Sequence, residues 1–450
     1  MNDSASQHRI SLLRSRFSEL DGAAPVAVLR APARINVLGE HVDYVSYLPT
    51  ASLVFGSGEH EMLMAFRVSH HEQVRGASLN SEFAPFTFAL TEAPEPDADW
   101  HEWLYERPVP APHWGNYVKG AVFFARHLYG SRVNRGFDFV VDSTIPPKGG
   151  ASSSSALTVL AGAAIRMASQ IEFEPHQLAR ESARAEWYVG TRGGAMDHTA
   201  ICLSKRQHAV YLSYREDTAE LVPLPGEDFR WVTFFSHEAD KGREVMLEYN
   251  ERAAVARLLI PSFTGELSAA DDLQAIIENL PVTVSLDDIE RTKPQVFSAC
   301  AAAFPALVQE RRARPLKLRD RARHHLGEMQ RVEAAARLLR QASGSNLQEV
   351  MRELGRLLNA SHTSLRDLYE VSTPQVNQLI DIITAEPEVY GARLMGGGFG
   401  GNVLALTTAA NVQALVSRVQ RDFYNPQQRD GWREGAVMIS TPGNGLSEVQ

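Results

Sequence analysis

Four short stretches concentrate the side chains that could do chemistry. In ARINVLGEHVDY, residues 33–44, Arg34, Glu40, His41 and Asp43 crowd around one glycine beside a short apolar run. Donors and acceptors this dense at a strand end suit a polyhydroxyl ligand, because each hydroxyl needs a partner once it leaves water. A charged surface turn is the plainer reading of the same residues. In IPPKGGASSSSALTVLAGAAIRM, residues 145–167, a strand gives way to Gly149 and Gly150, then to Ser152, Ser153, Ser154 and Ser155, then to a helix. Free N–H groups at a helix start bind anions such as phosphate. The Walker A spacing is absent, and a Gly/Ser linker that caps its helix is the alternative.

In AEWYVGTRGGAMDHTAICL, residues 185–203, Glu186 sits on a helix and Asp197 follows a glycine turn in small or apolar company. Such a carboxylate can serve as a base or can cap the next helix. The fourth stretch, LMGGGFGGNVLAL, residues 394–406, spells G-x-G-x-x-G through Gly396, Gly398 and Gly401. A dinucleotide fingerprint opens a helix after a strand. Here a second strand follows instead, at Val403–Thr408, and a helix signal begins only near Asn411. The glycines therefore need a role other than holding NAD.

Elements that would position these groups can be read from periodicity. A short amphipathic helix is predicted over 8–20, strands at Val26–Leu29, Ile35–Leu38, Phe137–Val141, Ala209–Ser213 and Trp231–Ser236, and helices over 116–128, 154–170 and 176–189. Residues 56–113 read as loop-rich, and EDTAELVPLPGEDF breaks the pattern near 215–230, which suggests a boundary. Two α+β domains, 1–222 and 223–450, follow, the second rich in helix. The Arg-rich stretch at 309–331 reads as a solvated helix face.

The 450 residues carry 45 Lys+Arg against 54 Asp+Glu, a net charge of −9, which argues against a nucleic-acid partner. Cys202 and Cys300 lie far apart without a Cys-x-x-Cys partner, so neither a disulfide framework nor a cysteine zinc site is expected. The N-terminus lacks the apolar core of a signal peptide and no apolar run reaches a membrane span, so a cytoplasmic, reducing compartment and no membrane partner are expected.

Taken together, the stretches resemble the sugar-kinase branch of the GHMP kinases, and most closely the galactokinases. The resemblance rests on Ala31–Tyr44, the Gly149–Ala156 loop and Gly391–Gly401. Further stretches are WGNYVKG (114–120), GAMDH (194–198), EYNER (248–252) and SHTSLRDLYEVS (361–372), all in the family's order from about residue 15 to 410. It implies a two-domain α+β fold with the active site in the cleft between domains. The implied activity is ATP-dependent phosphorylation of the anomeric hydroxyl of an aldose, with galactose first. A kinase for arabinose, a uronic acid or a heptose, or a non-catalytic sugar- and ATP-responsive regulator, are the alternatives. ATP and Mg²⁺ are implied, with the sugar as the other small-molecule partner and a monomer or weak homo-oligomer as the assembly.

Carried over by position, the resemblance makes Asp197 the catalytic base and Arg34 its partner. Ser154 and Glu186 match the Mg²⁺ ligands, and Gly149, Gly150, Ser152, Ser153 and Ser154 the ATP phosphate loop. Glu40, His41, Asp43, Gly194 and Tyr249 match the sugar contacts. The GGGFGG turn would pack beside the nucleotide phosphates. There are departures. After Asp43-Tyr44 the family usually has Asn, then a Gly, then Val-Leu-Pro. This chain reads Val45-Ser46-Tyr47-Leu48-Pro49, two residues shorter and without either. The serine loop reads Ser-Ser-Ser-Ser-Ala in place of Ser-Ser-Ser-Ala-Ser, and Ala33 replaces Gly before Arg34. Glu186 stands one residue closer to Asp197 than is usual.

Overall fold

A computed structural model describes residues 3–21, 24–25, 27–69, 71–95, 98–146, 150–190, 193–238, 243–431 and 435–449. The first sheet begins with β1, Ala27–Leu38, a single strand where periodicity predicts two runs. Nearly all of its residues are buried, because both faces are covered. Ile10, Leu13 and Phe17 of the Asp3–Asp21 helix pack on one side with Val28. The Gly115–Tyr129 and Ser153–Ala168 helices contribute to the core on the other. A strand buried on both faces reads as continuous apolar sequence, without the alternation that marks one wet face.

The remaining strands of this sheet are β2 (Ala51–Val68), β3 (Gln73–Ser78), β4 (Phe86–Ala89), β5 (Phe137–Ser143), β6 (His208–Ser213), β7 (Thr218–Pro223) and a C-terminal strand, Ser447–Val449. The last pairs with β1, and the order runs on through β2, β5, β3 and β4, with β6 on β2 and β7 on β6. Three of these strands correct the loop-rich reading of 56–113. The polar run GSGEHE at 56–61 looks like a break, yet it lies within the 18-residue β2, which is paired with β1, β5 and β6. Tertiary pairing overrides propensity there. The stretch near 215–230 likewise contains β7.

A second, antiparallel sheet is built from β8 (Phe229–Phe235), Val389–Met395, Asn402–Thr408 and Val437–Ser440. The Leu318–Arg340 and Leu347–Asp367 helices bring this half of the chain to the end of β1. Among the described residues no helix is long and apolar enough to cross a membrane, and both cysteines are free thiols.

The Arg-rich stretch is not a solvated face. Arg311 and Arg321 are buried, as are His324, His325 and Glu328. Arg311 donates to Glu248 at 2.5 Å and also pairs with Glu244 and Glu251. Arg321 bonds Glu370 at 2.8 Å. Periodicity cannot distinguish a solvated arginine from one buried against carboxylates contributed from elsewhere in the chain.

Burial opposes ionisation of Glu248, but hydrogen bonds from Arg311 and the Arg252 charge outweigh it and bring its pKa down to about 2. Removing one partner of such a cluster leaves uncompensated charge. Arg311→Met is expected to lower stability by about 3 kcal/mol at pH 7, read by urea denaturation. The depressed carboxylate stabilises the fold above its usual 4.5 and ceases to do so as pH falls toward 2. The difference between variant and wild type should therefore shrink across that window.

Candidate active site

The site begins where β1 ends. Gly39 turns the chain at φ +95°, and a side chain there would overlap the backbone and hydroxyl of Ser52. His41 follows at φ +60°. The turn's free N–H groups point at the fully buried carboxylate of Glu328, which accepts from Gly39 N at 2.9 Å and Glu40 N at 3.3 Å. Ser361 Oγ and Arg331 Nε also donate to it, each at 2.8 Å. Burial works against this charge, yet Arg331 and its other cationic and N–H neighbours hold the carboxylate near pKa 2. His324 completes the clamp. Its Nε2 meets the Glu40 carbonyl at 3.2 Å, so that nitrogen is the donor, and its Nδ1 accepts from Ser364 at 2.9 Å.

The side chain of Glu40 faces the other way and bonds the glycine loop. Its Oε2 accepts from Gly396 N at 2.8 Å and from Arg393 at 3.1 Å. Arg393, wholly buried, also donates to the carbonyls of Asn36 and Val37. The loop itself needs glycine. Gly398 stands at φ +82°, where a side chain would strike Val371, and Phe399 N donates to the Val371 carbonyl at 2.7 Å.

Opposite lies the start of the Ser153–Ala168 helix. Gly150 (φ +74°) borders Gly396, and Ser152 (φ +63°) turns into the helix. Arg34 N donates to the Ala151 carbonyl at 3.2 Å, tying this loop to β1. Asp197, in the first turn of the Met196–Leu203 helix, is held by both. Arg34 Nε donates to Oδ1 at 2.7 Å and Ser152 Oγ to Oδ2 at 2.5 Å. Burial would raise this carboxyl, but the Arg34 charge and the two hydrogen bonds hold it below the usual carboxylate range.

A cavity of about 200 Å³ collects Arg34, Glu40, His41, Asp43, Glu186, Gly194, Asp197 and Tyr249. These are eight residues singled out from sequence. Gly194 lies so close to Asp43 that a β-carbon would run into its carboxylate. Burial, then repulsion by Asp197 and Glu40, lifts Asp43 to about 6. The same cavity is lined by Gly396 of the glycine loop and by residues to which sequence reasoning gave no individual role, among them Tyr44, Ser155, Trp187 and His198.

Gly150, Ser152 and Ser153 stand at the helix start behind Asp197 rather than in the cavity wall, and Gly149 lies outside the described residues. Of the two serines that follow, it is Ser155 that donates to Glu186 Oε2, at 2.9 Å, alongside His198 Nε2 at 2.7 Å. Ser154 stands one position earlier on the helix, where its carbonyl accepts from Thr158 Oγ1 at 3.0 Å. The fourth serine in the run is the one sequence signal for Ser155.

The arrangement offers one ionised carboxylate fixed by an arginine, a compact polar pocket on one side and a helix N-terminus on the other. That is the geometry of group transfer between a hydroxyl and a phosphate. The comparisons agree with it. The chain matches the GHMP kinases N terminal domain over 116–205 and the GHMP kinases C terminal domain over 335–425. This sets its class as a GHMP kinase.

The galactokinase galactose-binding signature matches over 15–51. The galactokinase of Chloroflexus aurantiacus is 30% identical over 98% of each chain, and that of Bos taurus is 30% identical over 93% of this chain and 94% of its own. In three dimensions the Lactococcus lactis galactokinase complexed with galactose superposes with a TM-score of 0.73 at 23% identity, covering 98% of this chain and all of that one. Methanococcus jannaschii mevalonate kinase follows at 0.54 and 12% identity, covering 94% and 98%. The chain belongs to the galactokinase family.

The two aspartates should titrate apart. In ¹³C carboxyl NMR, Asp43 is expected to titrate near pH 6 while Asp197 stays ionised below its usual range. Asp197→Asn removes a like charge and should lower the Asp43 value. An Asp43 titration unmoved by that substitution would contradict the electrostatics described here.

Proposed function

We propose that the protein is an ATP-dependent sugar 1-kinase that transfers the γ-phosphoryl group of ATP to the anomeric hydroxyl of galactose. The observation that carries this reading is the placement of Asp197, clamped by Arg34 and Ser152 between the polar cavity and the Ser153–Ala168 helix start. In this mechanism Glu40, His41, Asp43, the Gly194 backbone and Tyr249 bind the sugar, with hydroxyls partnered as they leave water. Gly149, Gly150, Ser152 and Ser153 face the nucleotide phosphates through N–H groups and the helix dipole.

Phosphoryl transfer proceeds through a loose transition state in which the attacking hydroxyl loses its proton late. An Asp197 carboxylate held ionised by Arg34 therefore orients the hydroxyl first and accepts its proton as the bond to phosphorus forms. The Arg34 guanidinium, always charged, also lies where it can stabilise the transferring group.

Oxygen donors around Glu186 fit a hard divalent cation. One carboxylate beside the Ser155 hydroxyl suits Mg²⁺, which keeps waters and takes phosphate oxygens as its other ligands. Glu186 with Ser155, or with Ser154 after a rotation of the helix start, would hold it, and the ion would neutralise phosphate charge. The lobes are proposed to divide as 1–222 and 223–450. The two free thiols suit a reducing, cytoplasmic setting. Sugar and ATP are the proposed partners, with neither nucleic acid nor membrane, in a monomer or weak homo-oligomer.

Mg-ATP with a panel of aldoses, followed by ADP release, tests the reading. Galactose should give the largest kcat/KM, and Asp197→Asn should keep sugar binding while losing turnover by roughly 10²–10⁴-fold. Near-normal kcat in a folded Asp197→Asn protein would sink the role given to Asp197.

Protonation of Asp43 removes an acceptor from the sugar site. The galactose KM should therefore rise as pH falls below about 6, with kcat holding because Asp197 remains ionised. A flat KM profile from pH 7.5 to 5 would rule out Asp43 as an acceptor for the sugar.

A further inference from the structure

A chain of buried hydrogen bonds runs from the cavity into the helical half of the protein. His41 Nδ1 meets Tyr44 OH at 2.8 Å, and Tyr44 OH meets Tyr369 OH at 3.0 Å. Tyr369 OH stands 3.4 Å from His325 Nε2, and His325 Nδ1 meets Tyr47 OH at 2.8 Å. All five residues are buried. One of them departs from the usual surroundings of the motif. Tyr47 belongs to the shortened segment after Tyr44, and that segment packs with Val45 and Leu48 into the apolar cluster around Leu318, Ala322 and Leu326.

Such a chain has a direction. A phenol has one proton, and a neutral imidazole has one N–H and one acceptor nitrogen. His41 and His325 are both kept neutral by burial, their pKa values pushed well down. Tyr47 OH lies at the closed end, where His325 Nδ1 is its partner. A buried hydroxyl that withheld its proton there would leave a donor unsatisfied, so Tyr47 donates. His325 then carries its proton on Nε2 and donates to Tyr369, Tyr369 donates to Tyr44, and Tyr44 donates to His41 Nδ1. The proton of His41 is left on Nε2. That atom is buried, has no hydrogen-bond partner among the described residues, and belongs to a residue that lines the cavity.

We propose that Tyr47, His325, Tyr369 and Tyr44 form a tautomer-setting relay that presents His41 to the substrate as a neutral Nε2–H donor. The inference rests on the sugar-kinase reading of the cavity. Around it the carboxylates of Glu40, Asp43 and Asp197 are all acceptors. The relay thus supplies a donor on a wall otherwise rich in acceptors and selects a sugar that offers an oxygen lone pair at that point. Tyr47 and His325 act only through the relay and are positioning residues.

The test uses the full-length protein and the substitution Tyr47→Phe, which removes one oxygen and keeps the ring that packs the apolar cluster. Imidazole ¹⁵N NMR of the sugar-free protein should show His41 as the Nε2–H tautomer. In Tyr47→Phe the chain can run either way, and a mixed tautomer signature is expected. The galactose KM should rise by about fivefold or more, with the ATP KM changed less than twofold. Tyr369→Phe, which cuts the chain between His325 and Tyr44 and frees the Tyr44 hydroxyl to turn toward the cavity, should give the same mixed tautomer and the same rise in the galactose KM.

An Nδ1–H tautomer of His41 in the wild type would overturn the relay. So would a Tyr47→Phe protein with an unaltered His41 spectrum, or a parallel rise in both KM values. The spectrum is read without turnover. If galactose proves not to be the substrate, the tautomer result still stands or falls alone, so the two readings fail separately.

Discussion

A buried carboxylate must be fully hydrogen-bonded or lose its charge, and two of them meet back to back at the turn that ends β1. Glu328 grips the backbone N–H groups of Gly39 and Glu40 from the helical side, while the Glu40 side chain grips Gly396 and Arg393 from the sheet side. Two segments far apart in sequence are thereby fixed to one peptide turn. Neither the sugar motif nor the glycine loop can shift without stranding a charge. The placement of Asp43, His41 and Asp197 around one cavity depends on that constraint.

Within the cavity, environment divides the carboxylates by charge. Asp197 and Asp43 share the same wall, yet Arg34 and Ser152 hold one ionised while burial and neighbouring negative charge push the other toward neutrality. Pairs of titratable groups driven apart in this way give one cavity two carboxylates of different character. Arg34 belongs to β1, and its backbone N–H also secures the Ala151 carbonyl of the serine loop. One residue thus sets both the charge on Asp197 and the distance from Asp197 to the helix start.

Much of this was legible in the sequence. Strand, glycine and a cluster of polar residues at 33–44, and the four serines before an apolar helix, gave the two halves of the site. With Glu186, Gly194, Asp197 and Tyr249 from two further stretches, eight of the residues singled out share a single cavity. Illegible were the contacts that depend on tertiary partners. Nothing in the spacing of the Arg-rich stretch reveals that Arg311 and Arg321 are buried against Glu248 and Glu370, or that Glu328 reaches a turn nearly three hundred residues earlier. Strand β2 was missed for a related reason: its polar centre is stabilised by neighbours on both sides rather than by its own composition. Choosing between Ser154 and Ser155 as the partner of Glu186 depended on the rotation of one helix start, which sequence spacing leaves open.

The shortened segment after Tyr44 shows how a local departure can be absorbed without dismantling a site. The segment is two residues shorter than the family's usual pattern and lacks its Asn and Gly. Val45, Tyr47 and Leu48 then bury themselves among the helices of the second half. Burial of a tyrosine demands a partner for its hydroxyl, and His325 on the Leu318–Arg340 helix provides one. That same helix carries His324 and Glu328, which hold the Glu40 backbone. The departure therefore adds a contact to the element that already fixes the sugar motif. What it touches is the hydrogen-bond environment of Tyr44 and His41, pocket residues that the buried chain connects to Tyr47. It acts on the side of the pocket lined by His41 and Tyr44, while the Asp197–Arg34 pair is held separately, through β1 and the serine loop.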